Sequence, residues 1–404
     1  MSAELRNYLI VTGGYWAFTL TDGAIRMLVV LHFHRLGYTP LEVALLFVFY
    51  EFFGVVTNLV GGWLGARIGL NRTMHVGMGL QIVALAMLAV PAAWLSVPYV
   101  MTAQALSGIA KDLNKMSAKA SVRALAGADT GARLFRWVAI LTGSKNALKG
   151  LGFFLGAALL QGLGFRGALT SMAAVLLLVL VASAAALPVG LGRMRAKAKF
   201  TQVFSTCAAV NWLAAARFFL FGARDVWFVV GLPVFLYATL GWSFMQVGAF
   251  MALWVIAYGM VQSAAPRLLR HGAGPDGAAA RRWAGGLVLV PLGIVLALRQ
   301  GWDPGTVVVG GLILFAAVFA ISSALHSYLI LAYSNHERVA LDVGFYYMAN
   351  AGGRLTGTLL SGHAYQAYGL EGCLWWSVAF LAVATLLSLA LPGAATTRTR
   401  AAAR

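Results

Sequence analysis

The sequence predicts an all-α membrane protein of twelve transmembrane helices in two six-helix halves, and three observations predict it. Of 404 residues, 61% are hydrophobic and only 10% charged, where a soluble chain carries roughly a quarter charged residues. Apolar stretches long enough for a bilayer, which takes about 20 residues, recur twelve times with little chain left over. Basic residues fall on alternate connections between these stretches, as they do when one side of a membrane retains positive charge.

The first stretch, 8–32, contains Asp22 and Arg26 and lacks the short apolar core and small-residue cleavage site of a signal peptide. It reads as a retained helix. Stretches at 41–66, 73–91, 97–118, 134–161 and 166–187 complete a first bundle, residues 1–187. Residues 188–208 form a linker whose first part, PVGLGRMRAKAKF, is basic and has no long apolar run. Stretches at 209–237, 242–263, 284–298, 304–332, 338–366 and 370–391 build a second bundle, residues 209–404, ending in a short basic tail. Six spans, a basic linker and six more spans suggest a duplicated transporter with its substrate site where the halves meet.

With the N-terminus inside, 19 Lys and Arg lie on cytoplasmic segments and three, Arg35, Arg166 and Arg299, on outward ones. Both termini are therefore expected in the cytoplasm. The net charge of +18 is then mostly topological and gives no reason to expect nucleic acid. Cys207 and Cys373 lie in different spans without CxxC spacing, so neither a disulfide framework nor a metal site is expected.

Eight basic residues remain within spans: Arg26, Lys111, Lys115, Lys145, Lys149, Arg217, Arg224 and Arg354. Four acids accompany them at depth, Asp22, Glu51, Asp112 and Asp225, with Asp342 near the start of the eleventh span. In QALSGIAKDLNKMSAK, Lys111, Asp112 and Lys115 share one helical face, while Lys119 falls to the cytoplasmic rim. Arg217 and Lys111, nearest their span ends, are expected to reach toward the interface. Each charge at depth costs about 2.5–3.5 kcal/mol on the insertion scale, and salt bridges such as Asp22 with Arg26 offset only part of that. A surplus of positive charge requires a hydrated cavity, and such a cavity attracts an anion. Arginine grips phosphate-like oxygens in a bidentate way and lysine acts as a point charge, so the mixture suits a ligand with more than one anionic group. The acids serve as ion-pair partners or proton carriers.

Other motifs carry no chemistry. His271 and Asp276 have an HxxxxD spacing within a Gly/Pro loop, and GSKNALKG at 143–150 lacks the GxxxxGK[ST] order of a phosphate loop. His326 reads as a core histidine. No nucleophile–base set and no cofactor or ATP signature is present, so the chain reads as a gradient-driven carrier and not an enzyme.

Between the second and third spans, GGWLGARIGLNR at 61–72 resembles the loop motif of the major facilitator superfamily, through Gly62, Leu64, Arg67 and Gly69, with Ala66 at the usual aspartate position. The halves echo each other: Lys145, Asn146 and Lys149 among glycines in span five against Asn350 and Arg354 in span eleven, and Asp22 with Arg26 in span one against Arg224 with Asp225 in span seven. Glycine pairs such as Gly152/Gly156 and Gly353/Gly357 read as close helix contacts. The strings YWAFTLTDGAIRMLVVLHFH, FYEFFGVVTNLVGGWLGARIGLNR, SGIAKDLNKMSAK and ILTGSKNALKGLGFFLG, and more loosely GARDVWFVVGLPVFL and YYMANAGGRLTG, resemble the ArsJ-type organoarsenical efflux permeases.

That resemblance implies a major facilitator of the bacterial inner membrane that exports 1-arseno-3-phosphoglycerate, an ester made by glyceraldehyde-3-phosphate dehydrogenase, and so confers arsenate resistance. Beside it, the charges at depth nominate Arg26, Lys111, Lys115, Lys145, Lys149, Arg224 and Arg354 as the anion clamp. Asp22, Glu51, Asp112 and Asp225 are nominated for proton coupling or charge pairing. The expectation is a proton-coupled monomer working by alternating access without cofactor or metal, partnered by the lipid bilayer and an anionic small molecule. An exchanger of organophosphates or other multivalent organic anions is the alternative.

Overall fold

The computed structural model describes residues 3–36, 46, 48–126, 131–188, 190, 204–242, 244–269, 275–334 and 337–393. Among these the long elements are all helices: α1 (Ala3–Arg35), α2 (Val48–Ile68), α3 (Leu70–Leu88), α4 (Val97–Ala126), α5 (Ala132–Ala186), α6 (Ala208–Phe228), α7 (Phe244–Leu269), α8 (Gly277–Arg299), α9 (Pro304–Tyr333) and α10 (Val339–Leu387). After α6 the chain continues through Gly231–Val234 into a π-helical turn, Phe235–Thr239.

Two of the ten helices break once, α5 at Gly164 (φ 69°, ψ 177°) and α10 at Gly369 (φ 63°, ψ −160°). A side chain is strained at such angles, so glycine is what lets each helix break into two limbs. Among the described residues the limbs bring the total of long helices to twelve, one for each expected span. Residues 41–45 of the second span and nearly all of the basic linker lie outside the described residues.

Among the described residues six helical stretches are by themselves long and apolar enough to cross a membrane, five of them in the second half of the chain. The helices of the first half carry more interruptions: Asp22 and Arg26 in α1, and Lys111, Asp112, Lys115 and Lys119 in α4. Charges of this kind are tolerated in a bilayer only when they face protein or water, so α1 and α4 depend on neighbours that α9 does not need.

Helix ends follow local chemistry. Asp303 accepts the Thr306 N–H at 2.7 Å immediately before Pro304 opens α9, the usual pairing of an N-cap acid with proline at the first helical position. That bond, backbone N–H to carboxylate, holds the Asp303 carboxyl below its ordinary range. Asp276 caps α8 by accepting from Ala279 N at 3.0 Å. This gives the aspartate of the HxxxxD spacing a structural task; His271 lies outside the described residues.

The chain divides into two compact units, one of residues 1–129, 144–204 and 334–348, the other of residues 130–143, 205–333 and 349–404. The first has an apolar core around Ile25, Leu28, Phe33, Leu85 and Leu169. The core of the second is aromatic: Trp227 meets Phe315 edge-on at 5.0 Å between centroids, and the indole of Trp254 donates to the Leu312 carbonyl at 2.9 Å. Within the first unit α2 touches the start of α10, where a Cβ on Gly344 would lie 2.7 Å from the Gly62 Cα.

Candidate functional site

Each unit holds a buried charge cluster, and in each a glycine seam brings the charges together. In the first unit α1 lies against α5: a Cβ on Gly23 would come within 2.7 Å of the Lys149 carbonyl, and one on Gly156 within 2.6 Å of the Ala24 carbonyl. This contact sets Lys149 Nζ 3.8 Å from Asp22 Oδ2. A second seam joins α2 to α4, where a Cβ on Gly108 would stand 2.4 Å from the Tyr50 carbonyl. One turn along α4 from Gly108, Lys111 Nζ then sits 3.8 Å from the centroid of the Tyr50 ring.

Tyr50 joins these two pieces. Its hydroxyl donates to Asp22 Oδ1, and the Arg26 guanidinium lies over the same ring at 4.2 Å. Arg26 and Lys111 thus both contact the one ring. Asp112, only 2% exposed, receives Lys115 on Oδ1 and has Lys111 3.8 Å from Oδ2. Lys115 also lies over Tyr347 at 4.6 Å. The spacing of Asp112 and Lys115 along the helix thus becomes a contact.

The second unit repeats the scheme. A Cβ on Gly353 would fall 2.0 Å from the Phe218 carbonyl, and one on Gly357 2.6 Å from the Gly222 carbonyl. This seam between α6 and α10 lets Arg354 Nε reach Asp225 Oδ2 at 3.0 Å, while Arg224 Nε holds Oδ1 at 2.6 Å. Asp225 is 1% exposed; Arg354 keeps 36% of its side chain open. Arg224 is surrounded by the rings of Phe221, Phe228 and Phe319 at 5.0–5.7 Å. The echoing motifs of the two halves are therefore ion-pair partners within each half: an acid on the first helix of the repeat faces a base on the fifth.

Of the other nominated residues, Lys145 lies one turn before Lys149 on α5 and is half-buried. Glu51 lies on α2, and its side chain falls outside the described residues. Two expectations need correction. Arg217 does not reach for the interface; it is 4% exposed, donating to Asn350 Oδ1 at 2.8 Å and to Ser323, because Asn350, Ser323 and Gln262 offer a neutral polar pocket beside it. Lys111 likewise points inward, onto Tyr50. Lys119, expected toward the cytoplasmic end of its span, is 1% exposed on an α4 that runs on to Ala126, 5.5 Å from the Tyr347 ring.

Tyr50 itself was invisible in the sequence. It sits in an apolar aromatic run, FVFYEFF, and nothing in its own helix marks it, since its partners come from α1 and α4. Its hydrogen bond to a carboxylate is expected to contribute about 1.5–3 kcal/mol, lost in Tyr50→Phe. Tyr50→Leu also removes the ring's contacts with Arg26 and Lys111 and is expected to cost a further ~0.5–2 kcal/mol. Thermal unfolding of the purified variants in detergent checks the order; equal losses would remove the ring from this account.

Among the charges at depth, the first unit holds Arg26, Lys111, Lys115, Lys145 and Lys149 with Asp22, Asp112 and Asp342, and the second holds Arg217, Arg224 and Arg354 with Asp225. Both balances are positive. Cations paired with carboxylates in this way offer charge that an anion could meet and carboxylates that a proton could neutralise; among the described residues no group of His, Cys, Asp and Glu is suited to hold a metal ion.

The family model described as Major Facilitator Superfamily matches residues 11–331. The chain belongs to the major facilitator superfamily. No curated protein matches it in sequence. Solved major facilitator structures resemble it over nearly its full length. The human organic anion transporter MFSD10 (TETRAN) superposes with a TM-score of 0.77 at 19% identity, covering 96% of this chain and 100% of that one. The proton:xylose symporter XylE gives 0.72 at 14%, covering 95% of each chain, and the transporter FucP, in its outward conformation, 0.74 at 12%, covering 96% and 99%. At these identities the likeness is one of fold. Membership of the superfamily makes the chain a multi-pass membrane transporter of small molecules.

Proposed function

We propose that this protein is a secondary exporter of an organic anion with more than one anionic group, and that the cargo is the organoarsenical 1-arseno-3-phosphoglycerate. The observation that carries the first part is the surplus of buried and part-buried Lys and Arg over carboxylates among the charges at depth in both units. Each cation at depth is costly unless neutralised, and an arriving dianion neutralises several at once. The likeness to a human organic anion transporter agrees with that class. The arsenate ester rests on the sequence strings that resemble ArsJ-type permeases, and the dehydrogenase that makes the ester follows from the same source.

In the proposed cycle Arg26, Lys111, Lys115, Lys145, Lys149, Arg224 and Arg354 exchange their carboxylate and ring partners for the anion's oxygens. Asp22, Asp112 or Asp225, released from its cation, takes up a proton and couples export to proton entry; Glu51 is a further candidate. We place the protein in a bacterial inner membrane with both termini cytoplasmic, acting as a monomer by alternating access.

Everted vesicles test the reading. Labelled arsenate is expected to accumulate only when glyceraldehyde-3-phosphate dehydrogenase and its substrates are supplied, and an uncoupler is expected to stop it. Accumulation of ordinary organophosphates without the dehydrogenase supports the exchanger instead. Lys115→Ala and Arg354→Ala are each expected to abolish arsenate resistance at unchanged membrane expression; resistance at the wild-type level in both removes them from the clamp.

A further inference from the structure

A third charged site lies apart from the two clusters, in the second unit, where α8 ends and α10 breaks. Arg299 is the last residue of α8, and Glu371 follows two residues after the break at Gly369. Arg299 Nε donates to Glu371 Oε1 at 2.6 Å, and the Trp375 indole N–H donates to the same oxygen at 3.2 Å. The guanidinium lies 5.5 Å from the Trp375 ring centroid. These groups line an open cleft of about 540 Å³ with Tyr368, Trp376 and Ala379. Gly372 lines it too; a Cβ there would meet the Tyr368 side chain at 2.5 Å.

Three properties say what the cleft takes. The Arg299 and Glu371 side chains are 58% and 35% exposed, and the pair directs all its mutual contacts through Oε1. Both side chains line the cleft, and Glu371 Oε2 takes no part in these contacts. Secondly, the pair is neutral as a whole, so it has no reason to prefer a purely anionic group. Thirdly, exposed apolar side chains of α10 line the cleft and recur beyond it: Trp375 and Trp376 are 38% and 42% exposed, and Leu386, further along the same helix, is 64% exposed. An exposed apolar stripe on a membrane-spanning helix faces acyl chains, and aromatic side chains at its end mark headgroup level.

We infer that this cleft binds a zwitterionic phospholipid, phosphatidylethanolamine, with the phosphate on Arg299, the ammonium on Glu371 Oε2 against the open rings of Tyr368 and Trp375, and an acyl chain along Trp376, Ala379 and Leu386. A guanidinium suits phosphate oxygens, and an ammonium beside a carboxylate and aromatic faces is held by both charge and ring quadrupole. The inference is independent of the transported substrate.

The test uses the full-length protein, purified and delipidated in detergent, titrated with phosphatidylethanolamine or phosphatidylglycerol of identical acyl chains and read by native mass spectrometry. Phosphatidylethanolamine is expected to bind about fivefold more tightly, the size of one exposed charge contact. Equal binding, or a preference for phosphatidylglycerol, overturns the inference without any variant having to fold. Glu371→Gln, which keeps the side chain's size, is expected to abolish the preference, and Arg299→Gln to weaken both lipids. A Glu371→Gln protein that still discriminates as the wild type does also overturns it.

Discussion

Asp225→Asn is expected to abolish export and to destabilise the protein by about 3–5 kcal/mol, the cost of leaving buried charges without their counter-ion. Asp225 is 1% exposed and receives both Arg224 and Arg354. Asparagine keeps the shape but turns an amide N–H₂ toward one guanidinium, so at least one arginine loses its acceptor. Two measurements separate structure from mechanism. In Asp225→Asn/Arg354→Gln one of the two cations that share the carboxylate has been removed, and thermal unfolding in detergent is expected to recover part of the lost stability. Vesicle uptake by the same double variant is expected to stay at background, because the proposed proton carrier and clamp residue are both gone. Uptake at the wild-type level in Asp225→Asn would show that the carboxylate is dispensable.

The second large effect is steric. A Cβ at Gly353 would lie 2.0 Å from the Phe218 carbonyl oxygen and 2.7 Å from its carbon. The obstacle is backbone, which cannot turn aside as a side chain does, so the penalty for Gly353→Val exceeds the ~1–3 kcal/mol of ordinary overpacking. Size-exclusion chromatography of a fluorescent fusion is expected to show loss of the monodisperse peak. Gly248→Ala and Gly362→Ala, where an added Cβ meets nothing within 4 Å, are expected to elute as wild type. A monodisperse Gly353→Val peak would mean that α6 and α10 separate more readily than their contact implies. The glycine pairs that read as simple packing therefore have a second consequence: the Gly353 seam holds Arg354 at Asp225, as the Gly23 and Gly156 contacts hold Lys149 near Asp22.

What the sequence determined by itself is the set of spans and the list of charges within them. The energy of inserting a residue into a bilayer is paid locally, so an apolar stretch announces a helix and a lysine inside it announces an exception, whatever the rest of the chain does. Contacts within one helix were legible for the same reason, since three residues along α4 bring Lys115 to Asp112. Partners across helices were not. Lys149 at Asp22 and Arg354 at Asp225 link residues more than a hundred positions apart, and Tyr50 meets both Arg26 and Lys111 only because Gly108 lets α2 touch α4. The burial of Lys119 under Tyr346 and Tyr347 is of the same kind. Which backbones come into contact is a property of the folded bundle, and that contact, not any spacing along the chain, decides which acid each buried cation meets.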